Sequence, residues 1–599
     1  MPLLLSALAL AAAARGCAAA TADTTALVQG SVRRHGTDGT GEEAVSAELF
    51  VAGRSAHERT VGDAVRAHEL GPVAYTKLGP ILGEEHSTYT VFGGIQYVET
   101  PERFGVPQPK APWAPKIYNA THFRKACIGA SVGEHEDEDC LTLNVWVPRG
   151  GLKNMPVIVY FHGGINQHGS GSEWARRGDG ITNSTKYPTI FINFNFRLGI
   201  FGWISLKGSG IPDNLGMLDQ QAALRWVQEH IAAFGGDPTR VLLEGQSEGC
   251  GSIEAHMVAP GSMGLFHRVA FHSPPADIWS RHANVDRTKF MIEAADCQRP
   301  EPWSTVRCLK RKHAVSLWSK DWVAEELSRN VMQPAWITNA LRLLSFALRT
   351  KQKDELIAML GWHAEVDNVT LPGNPVDLIR QGRFHNVTLL ITTALNETHG
   401  VVPTSIAFAA EEGLKYLLGD LGTAEGAYNE TLAAQGIVTT GHLDIQYQML
   451  TDKLWTCDIR SLAADIVRGG GRAHVGMFAH APKYSGTGRG TNAVCEQGAA
   501  CHADEMFYVL PQGPRGIRGP GMEGELAFSR RYSESFLAFV HGNDTGHPWV
   551  PYNVETQPFT FYKASGTFVV PGYRKEQCDV LDRFNGPHIK QHMRDLGAV

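Results

Sequence analysis

The sequence predicts an α/β fold with a large, mostly parallel central sheet, and two observations lead to this prediction. Short apolar strands, such as Met155 to Phe161 and Thr189 to Phe196, alternate along the chain with segments of helical periodicity, which is typical of doubly wound sheets. In addition, an apolar strand runs into G-x-S-x-G over Val241 to Gly249. Helical patterns flank it, at Gln220 to Phe234 and at Gly251 to Val258.

Composition excludes several classes of function. The chain has 599 residues, 43% of them hydrophobic, and one large domain remains plausible because α/β folds grow by loop insertion around a single sheet. A net charge of -6 without charge runs gives no reason to expect nucleic-acid binding. Since the sequence has no P-loop, dinucleotide fingerprint or C-x-x-C metal pattern, it implies no cofactor and no metal.

The N-terminus indicates a secretory signal over residues 1–22. An apolar run from Pro2 to Ala14 ends at Arg15, and the small residues that follow include an A-x-A-like site at 20–22. The basic segment that usually begins a signal is missing, so a buried N-terminal helix stays open as the alternative. Residues 23–74 form a polar N-terminal extension, for which a flexible lead and a propeptide both remain open.

Two further features, the close cysteine pairs and the glycosylation sequons, indicate a secreted or lumenal protein. Ten cysteines include close pairs, which read as bridges in an oxidising compartment. No later apolar run approaches the ~18 residues of a membrane helix, and a lipid-anchor tail is absent as well. Seven N-x-S/T sequons mark candidate glycosylation sites, at Asn119, Asn183, Asn368, Asn386, Asn396, Asn429 and Asn543.

Each strand of the sheet is predicted from its own pattern. Alternating residues after Cys140 indicate a strand that reaches Pro148. The strand from Met155 to Phe161 ends in H-G-G, and the strand from Thr189 to Phe196 is followed by R-L-G. The turn signal G-G-D-P at 235–238 then separates a helix from the strand that carries G-x-S-x-G.

Ser247 is the candidate nucleophile. In an α/β-hydrolase, G-x-S-x-G forms the nucleophile elbow, where glycines permit a sharp turn that lifts the serine hydroxyl out of the sheet. The pentapeptide alone is a weak signal in a chain with 64 glycines, but its strand-turn-helix context supports the interpretation. Cys250 is a rival nucleophile, although small apolar cysteines more often serve as buried packing.

The order of these motifs resembles the type-B carboxylesterases, a family that includes cholinesterases, fungal lipases and the non-catalytic neuroligins. From Tyr75 to Gly586 the chain carries, in the family's order, F-x-G-I-x-Y, E-D-C-L-x-L-N-V, H-G-G, N-x-R-L-G, N-L-G-M-L-D-Q-Q-A-A-L-R-W-V, F-G-G-D-P and G-x-S-x-G. The resemblance implies a single α/β-hydrolase domain over residues 75–599, with inserted helical segments over the active site. It also implies a structural salt bridge between Arg197 and Asp219.

The resemblance further implies the base of a catalytic triad. His502 lies in a segment similar to the family's H-G-x-E-x-x-x-V, and it comes last in the hydrolase order of serine, acid and histidine. The acid is less direct, since N-E-T-H-G replaces the family's D-E-G. Alignment on the glycine places His399 at the acid position, whereas alignment on the preceding strand places Glu397 there. Glu397 is preferred because a buried strand fixes the distance to the site.

The resemblance also implies an oxyanion hole formed by the backbone N–H groups of Gly164, Ile165 and Glu248. Two of these positions depart from the family, which usually has a third glycine in place of Ile165 and an alanine in place of Glu248. Isoleucine resists a positive φ, and a carboxylate beside a developing negative charge disfavours it. Catalysis is therefore expected, and whether Ile165 and Glu248 impair it stays open.

Four disulfides are predicted. The resemblance pairs Cys127 with Cys140, Cys297 with Cys308, and Cys457 with Cys578. Cys495 and Cys501 remain and are close enough in sequence to bridge a small loop before His502. Cys250 is then left free, and Cys17 is lost with the signal.

The predicted function is that of a secreted serine esterase acting on a small-molecule or lipid ester. The 12 residues between Cys127 and Cys140 are acidic and lack tryptophan, which argues against the cation–π platform of a choline esterase. The alternative is a catalytically weak or inactive adhesion or binding protein on the same scaffold. The sequence indicates neither the acyl and alcohol specificity nor the oligomeric state.

Overall fold

The structure is a computed structural model that describes most of the chain after residue 70. The described residues are 71–130, 136–274, 283–318, 362–401, 411, 414–415, 417–437, 442–482, 495, 498–511 and 521–584. The predicted signal at 1–22 and nearly all of the predicted extension at 23–74 lie outside them. The sequence also indicates helical stretches around five tryptophans, at 303, 318, 322, 336 and 362. Of these, Trp322 and Trp336 lie outside the described residues.

An 11-stranded sheet forms the centre of the fold. Its strands in chain order are β1 (Glu84–Glu85), β2 (Tyr89–Gln96), β3 (Thr142–Pro148), β4 (Met155–Phe161), β5 (Ile190–Phe194), β6 (Gly236–Gln246), β7 (Arg268–His272), β8 (Thr388–Ala394), β9 (Arg472–Phe478), β10 (Pro558–Lys563) and β11 (Gly566–Pro571). Their spatial order is β11-β10-β9-β8-β7-β6-β4-β5-β3-β2-β1.

Seven neighbouring strands, from β5 to β10, run parallel, and the strands at both ends of the sheet are antiparallel. Parallel strands are buried on both faces, which is why β4 is an uninterrupted apolar run that the sequence predicted to the residue. Because parallel strands share one carboxyl edge, the loops after β4, β6, β7, β8 and β9 all leave from that edge.

Helices lie between the strands and cover the sheet. They are α1 (Gly199–Trp203), α2 (Leu215–His230), α3 (Glu248–Val258), α4 (Ala283–Ala294), α5 (Pro302–Arg311), α6 (Ala314–Trp318), α7 (Pro375–Arg380), α8 (Glu397–Val401), α9 (Leu421–Ala434), α10 (His442–Thr451), α11 (Cys457–Arg468), α12 (Met506–Val509), α13 (Glu523–Val540) and α14 (Lys575–Leu581). A π-helical turn, Asp452–Thr456, joins α10 to α11.

Shorter elements complete the described fold. A small sheet of Val73–Thr76, Gly79–Leu82 and Tyr118–Asn119 begins just before the predicted domain boundary at Tyr75. Two-residue strands pair Val98–Glu99 with Gln108–Pro109, and Ala126–Cys127 with Glu136–Asp137. Short 3-10 helices occur at Trp174–Arg176, Ile181–Asn183, Ile231–Phe234 and Pro260–Ser262.

The core is divided by the sheet. Along β4, Val157 and Val159 pack into one hydrophobic cluster, whereas Ile158 and Tyr160 pack into another. This alternation follows from the two-residue period of a strand. Helices α2, α3 and α11 contribute to the first cluster and α13 to the second, so that both faces of the sheet are covered. A third cluster joins α9, α10 and α14.

Some predicted boundaries differ from the structure. Helix α2 begins at Leu215 rather than Gln220, and β6 begins at Gly236 inside the predicted turn. Trp303 and Trp318 lie in helices as expected. The prediction for Trp362 was wrong, because this residue lies in a loop, where it is fully buried.

Four pairs of cysteines are bonded, and they are the pairs expected from the sequence. They are Cys127–Cys140, Cys297–Cys308, Cys457–Cys578 and Cys495–Cys501. Cys250 is a free, buried thiol. Across the part of the chain that the structure describes, no helix combines the length and the apolar character that crossing a bilayer requires.

Candidate active site

Ser247 lies in a sharp turn between β6 and α3. Its φ of 53° and ψ of -128° are strained for a residue other than glycine. The two glycines of the motif make the turn possible: a Cβ on Gly245 would lie 2.7 Å from the carbonyl carbon of Gly249, and one on Gly249 would overlap the carbonyl oxygen of Phe161. The amide of Ser247 donates to the carbonyl of His272, at the end of β7, over 3.0 Å. The elbow is therefore fixed to both neighbouring strands.

His502 and Glu397 are in direct contact. Nδ1 of the imidazole lies 2.6 Å from Oε2 of the carboxylate, and Glu397 is fully buried. The other carboxylate oxygen, Oε1, accepts from the amide of Ala394 over 2.6 Å and from the hydroxyl of Thr393 over 2.7 Å. The end of β8 thus fixes one oxygen and leaves the second for the imidazole.

Backbone pairing brings these two side chains together. The amide of Asn396 donates to the carbonyl of Ala500 over 2.9 Å, and Asn396 forms an isolated parallel bridge with Cys501. A Cβ on Gly400 would lie 2.6 Å from the amide nitrogen of His502, so the close approach of the two loops requires glycine there. The loop after β8 and the loop that carries the imidazole are consequently locked in register.

The second imidazole nitrogen is directed towards the elbow. Nε2 of His502 lies 3.2 Å from the side-chain nitrogen of Gln246, the residue immediately before Ser247. An amide nitrogen only donates, so Nε2 accepts and carries no hydrogen. Nδ1 then carries the hydrogen that is donated to Glu397. This is the tautomer that a general base beside a serine needs.

Of the two candidates for the acid, the structure places Glu397 against the imidazole. His399 instead lies against the ring of Tyr447, with the ring centroids 4.5 Å apart. Burial lowers the pKa of His399 from its usual value, which favours its uncharged form. It is therefore unsuited to hold an imidazolium by charge.

Cys250 is buried in the first turn of α3. Its thiol lies 3.5 Å from the carbonyl oxygen of His272. Burial raises the pKa of the Cys250 thiol well above its ordinary value. Since the thiolate is the nucleophilic form, Cys250 is inert at neutral pH.

Two buried residues beside the pair were not assigned a role from the sequence. Ser273 follows β7 in a left-handed conformation, with φ of 49°, and its hydroxyl donates to Oε1 of Glu505. Burial, together with the negative charge of Glu397, raises the pKa of Glu505 well above 4.5. Both effects favour the uncharged form of this carboxyl. Only its place in H-A-D-E after His502 could have drawn attention to it, and nothing in the sequence points to Ser273.

The loop after β4 lies against the elbow. A Cβ on Gly163 would be 2.6 Å from the carbonyl oxygen of Gln246, and a Cβ on Gly164 would be 2.6 Å from the carbonyl oxygen of His168. The predicted conflict at Ile165 is present, since its φ is 52°. A β-branched residue in this region is a genuine outlier.

The carboxylate of Glu248 is turned into a buried cluster of hydrogen bonds. Its Oε1 accepts from Nδ2 of Asn166 over 2.7 Å and lies 3.1 Å from Nδ1 of His363. The backbone N–H of Glu248 is at the first position of α3, where a helix offers its amide no partner. It is therefore available to a ligand beside Ser247.

An aromatic side chain borders the imidazole. The ring of Trp455, in the π-helical turn, meets the ring of His502 edge-on, with centroids 5.9 Å apart. Its indole nitrogen is buried without a hydrogen-bond partner. The sequence offered no signal for this residue, because the π-helical turn depends on tertiary packing.

The predicted structural salt bridge is present in this neighbourhood. The guanidinium of Arg197 forms two bonds of 2.7 Å to the carboxylate of Asp219, and both side chains are buried. Such a bidentate pair is geometrically specific. It fixes the end of β5 against α2, beside the loop that follows β4.

The predicted glycosylation sites differ in exposure. Asn119, Asn183, Asn368, Asn386 and Asn429 are exposed, whereas Asn396 and Asn543 are partly buried. Nδ2 of Asn543 also donates to the hydroxyl of Tyr187 over 3.1 Å. Glycan attachment is therefore sterically easier at the first five sites.

A serine at a strand-to-helix elbow, a histidine whose Nε2 lies beside the residue before that serine, and a buried glutamate behind the histidine fit the α/β-hydrolase class. The model of the Carboxylesterase family matches residues 71–581. The chain belongs to the carboxylesterase family.

Known proteins that resemble the chain carry esterase names. Para-nitrobenzyl esterase of Bacillus subtilis (strain 168) is 30% identical over 364 residues, which cover 58% of this chain and 68% of that protein. Esterase FE4 of Myzus persicae is 34% identical over 265 residues, 41% of this chain and 46% of that protein. The chain thus matches less than half of the length of Esterase FE4.

The fold is also that of solved structures. A structure of PNB esterase superposes with a TM-score of 0.67 at 24% identity, and covers 85% of this chain and 99% of its own. At this identity the likeness concerns the fold. It agrees with the large, mostly parallel sheet described above.

Proposed function

We propose that the protein is a serine hydrolase that cleaves carboxylic esters of small molecules or lipids through an acyl-enzyme. The observation that carries the proposal is the arrangement of His502: Nδ1 lies 2.6 Å from Glu397, and Nε2 faces the turn that presents Ser247. Family membership and the names of the relatives support the same activity.

In the first half-reaction, Ser247 Oγ attacks the ester carbonyl carbon while Nε2 of His502 takes its proton. The carbonyl π electrons move to oxygen, which becomes the oxyanion of a tetrahedral intermediate. When this intermediate collapses, the C–O bond to the alcohol breaks, and the leaving oxygen takes the proton from Nε2. Water then attacks the acyl-enzyme by the same steps and frees the acid.

Glu397 and the backbone supply the electrostatics of this reaction. The carboxylate keeps Nδ1–H in place and stabilises the imidazolium that forms. Backbone N–H groups of Gly164, Ile165 and Glu248 are assigned to the oxyanion, each contributing on the order of 3 kcal/mol. The raised pKa of Glu505 disfavours a second negative charge beside Glu397.

We also propose that the protein is made in the secretory pathway. The four disulfides support this, because such bridges persist in oxidising compartments. Five exposed sequons are accessible to the glycosylation machinery. Expression in a secretory host should yield glycosylated protein in the medium, with its N-terminus near residue 23. Retention of an intact Met1 would contradict the proposal.

The activity is tested with p-nitrophenyl esters of increasing acyl length. We expect a burst of one p-nitrophenol per protein, followed by steady turnover, and stoichiometric labelling by an organophosphate at Ser247. Both should be absent from Ser247→Ala, with its thermal unfolding unchanged. Folded wild-type protein that is neither labelled nor active would overturn the proposal and would favour a binding protein on this scaffold.

A further inference from the structure

Glu248 raises a question that the proposed mechanism does not answer. It directly follows the nucleophile, and its own backbone N–H is assigned to the oxyanion. Its carboxylate has a negative charge of the kind that opposes a developing oxyanion. The side chain is nevertheless only 3% exposed. A buried carboxylate persists in such a place only when other groups hold it.

The contacts of Glu248 show what holds it. Nδ2 of Asn166 lies 2.7 Å from Oε1 of Glu248 and 2.8 Å from the carbonyl oxygen of Trp362. Both partners are acceptors, so the orientation of the Asn166 amide is fixed. Nδ1 of His363 approaches the same carboxylate oxygen at 3.1 Å.

The same cluster holds the other side of the oxyanion hole. The amide of Trp362 donates to the carbonyl of Ile165 over 3.1 Å, and the carbonyl of Asn166 accepts from the amide of Gly199 over 2.8 Å. Ile165 and Asn166 both have positive φ, at 52° and 54°. Asparagine tolerates this conformation, whereas isoleucine is strained by roughly 1–3 kcal/mol. The loop therefore needs external contacts to keep its shape.

We propose that Glu248, Asn166 and His363 form a bracket that sets the positions of the oxyanion-binding N–H groups, with Glu248 as a positioning residue. This inference rests on the proposed ester hydrolysis. The bracket joins the amide at the start of α3 to the loop after β4 through one buried carboxylate oxygen. A glycine at position 165 would adopt the positive φ without strain, whereas Ile165 needs the contacts of the bracket to hold the loop in this shape. The two donors, Asn166 and His363, offset the charge of Glu248.

In the family pattern alanine follows the serine, which suggests that Glu248→Ala would preserve or improve catalysis. The bracket predicts the opposite. Glu248→Ala removes the acceptor and frees Asn166. We expect kcat to fall about 10- to 100-fold, since a small displacement of preorganised donors costs rates of this size. KM should change less than threefold. The affinity for a trifluoromethyl ketone, which forms the tetrahedral adduct, should fall in proportion to kcat/KM.

Glu248→Gln is the conservative rescue. It keeps an oxygen for Asn166 and removes only the charge, so kcat should stay within about threefold of wild type. Asn166→Ala should reproduce the loss seen with Glu248→Ala. The double variant Glu248→Ala/Asn166→Ala should be no worse than either of its single variants, because each of these variants breaks the same bracket.

Asp465→Asn is the matched control. Asp465 is a buried carboxylate in α11, paired with Arg380 and Arg468. It lies where α11 leads into the amino end of β9, at the opposite edge of the sheet from Ser247. Its loss should lower the melting temperature without changing kcat. If Glu248 had a purely structural role, Glu248→Ala would likewise lower the melting temperature without changing kcat.

The outcomes separate the two proposals. Organophosphate labelling of wild type at Ser247 is the reference, and a wild type without labelling or turnover overturns the proposed function and the bracket with it. With wild type labelled, a kcat of Glu248→Ala equal to or above wild type overturns the bracket alone, as does a loss confined to KM. If Glu248→Ala does not fold, Asn166→Ala and Glu248→Gln decide by the same criteria.

Discussion

At the scale of single residues, the two oxygens of Glu397 have different partners. Oε1 is held by two donors at the end of β8, and Oε2 faces His502. The carboxylate that we propose as the acid of the triad is therefore held in place by the protein itself. Because Glu397 is buried, water cannot take over the contacts that a substitution removes.

Glu397→Gln tests this division directly. The amide of Ala394 and the hydroxyl of Thr393 require an acceptor, so the glutamine oxygen should stay with them and its NH2 should face Nδ1. That arrangement favours the wrong imidazole tautomer, and kcat should drop by about 10⁴-fold with little change in melting temperature. Glu229→Gln, on the surface of α2, is the control. Activity within tenfold of wild type would contradict the assignment.

Glu505 predicts a pH dependence of stability. Its pKa is raised above 4.5 in the folded protein, so its stabilising contribution is complete below about 4.3, the unfolded value, and is lost as pH rises towards the folded pKa. Glu505→Gln removes the loss of stability that the raised pKa of Glu505 causes as pH rises. Relative to wild type, the variant should gain stability between pH 5 and pH 8, as measured by urea unfolding at each pH. A constant difference across that range would show that Glu505 is ionised in the folded state.

The sequence could suggest Ser247, His502 and Glu397 as the proposed triad because each is next to a strand or motif with a local signature. Ser273, Glu505 and Trp455 could not be assigned, since their roles arise from contacts between segments distant in sequence. The position of the Glu248 side chain was equally hidden. The sequence placed a carboxylate beside the oxyanion, but not the donors that hold it.

At the scale of elements, the elbow depends on close contact between α3 and β4. Gly249 lies so close to the backbone of Phe161 that no side chain fits. Gly245 similarly contacts the backbone of Gly249. The glycines of the motif are therefore needed for packing as well as for the turn.

Gly249→Ala should consequently destabilise the fold by about 3 kcal/mol or more, since overpacking against backbone cannot relax through side-chain motion. Gly426→Ala is the matched control in α9, where a Cβ meets no atom within 4 Å. It should stabilise by about 0.5–1 kcal/mol through helix propensity. Urea unfolding measures both changes, and equal effects at the two sites would refute the steric explanation.

Element boundaries were predicted unevenly for physical reasons. β4 was correct because burial on both faces makes the whole strand apolar. The start of α2 was placed five residues late, since its first residues include Gly216, a poor helix former, and the buried polar residue Asp219. Trp362 was expected in a helical stretch, whereas it is buried in a loop whose carbonyl at this residue accepts from Asn166.

At the scale of the whole molecule, two disulfides act at different ranges. Cys457–Cys578 joins residues 121 apart in sequence, linking α11 to α14. Cys495–Cys501 closes a loop with a separation of 6, immediately before His502. The first constrains the unfolded chain far more than the second.

Replacing Cys457 and Cys578 by serine should therefore cost about 4–5 kcal/mol of stability, against about 2 kcal/mol for Cys495 and Cys501. The order should reverse for kcat, because only the short bridge adjoins the imidazole. Calorimetry and ester turnover on the two double variants measure these effects. A larger loss of kcat from the long bridge would contradict the assignment.

The parallel sheet explains how residues 247, 397 and 502 meet. β6 and β8 end at the same edge, and the loop that follows β9 returns to pair with Asn396. Ser247 and His502 are 255 positions apart in the sequence, yet the shared carboxyl edge makes them neighbours. The arrangement that we propose as catalytic is thus a consequence of strand order.

The most direct measurement is a crystal structure of the protein after reaction with a phosphonate ester. The account predicts phosphorus bonded to Ser247 Oγ, and the phosphoryl oxygen about 2.7–3.1 Å from the backbone nitrogens of Gly164 and Glu248. Nδ1 of His502 should remain on Glu397. Phosphorus bonded to another side chain, or an imidazole turned away from Glu397, would contradict it.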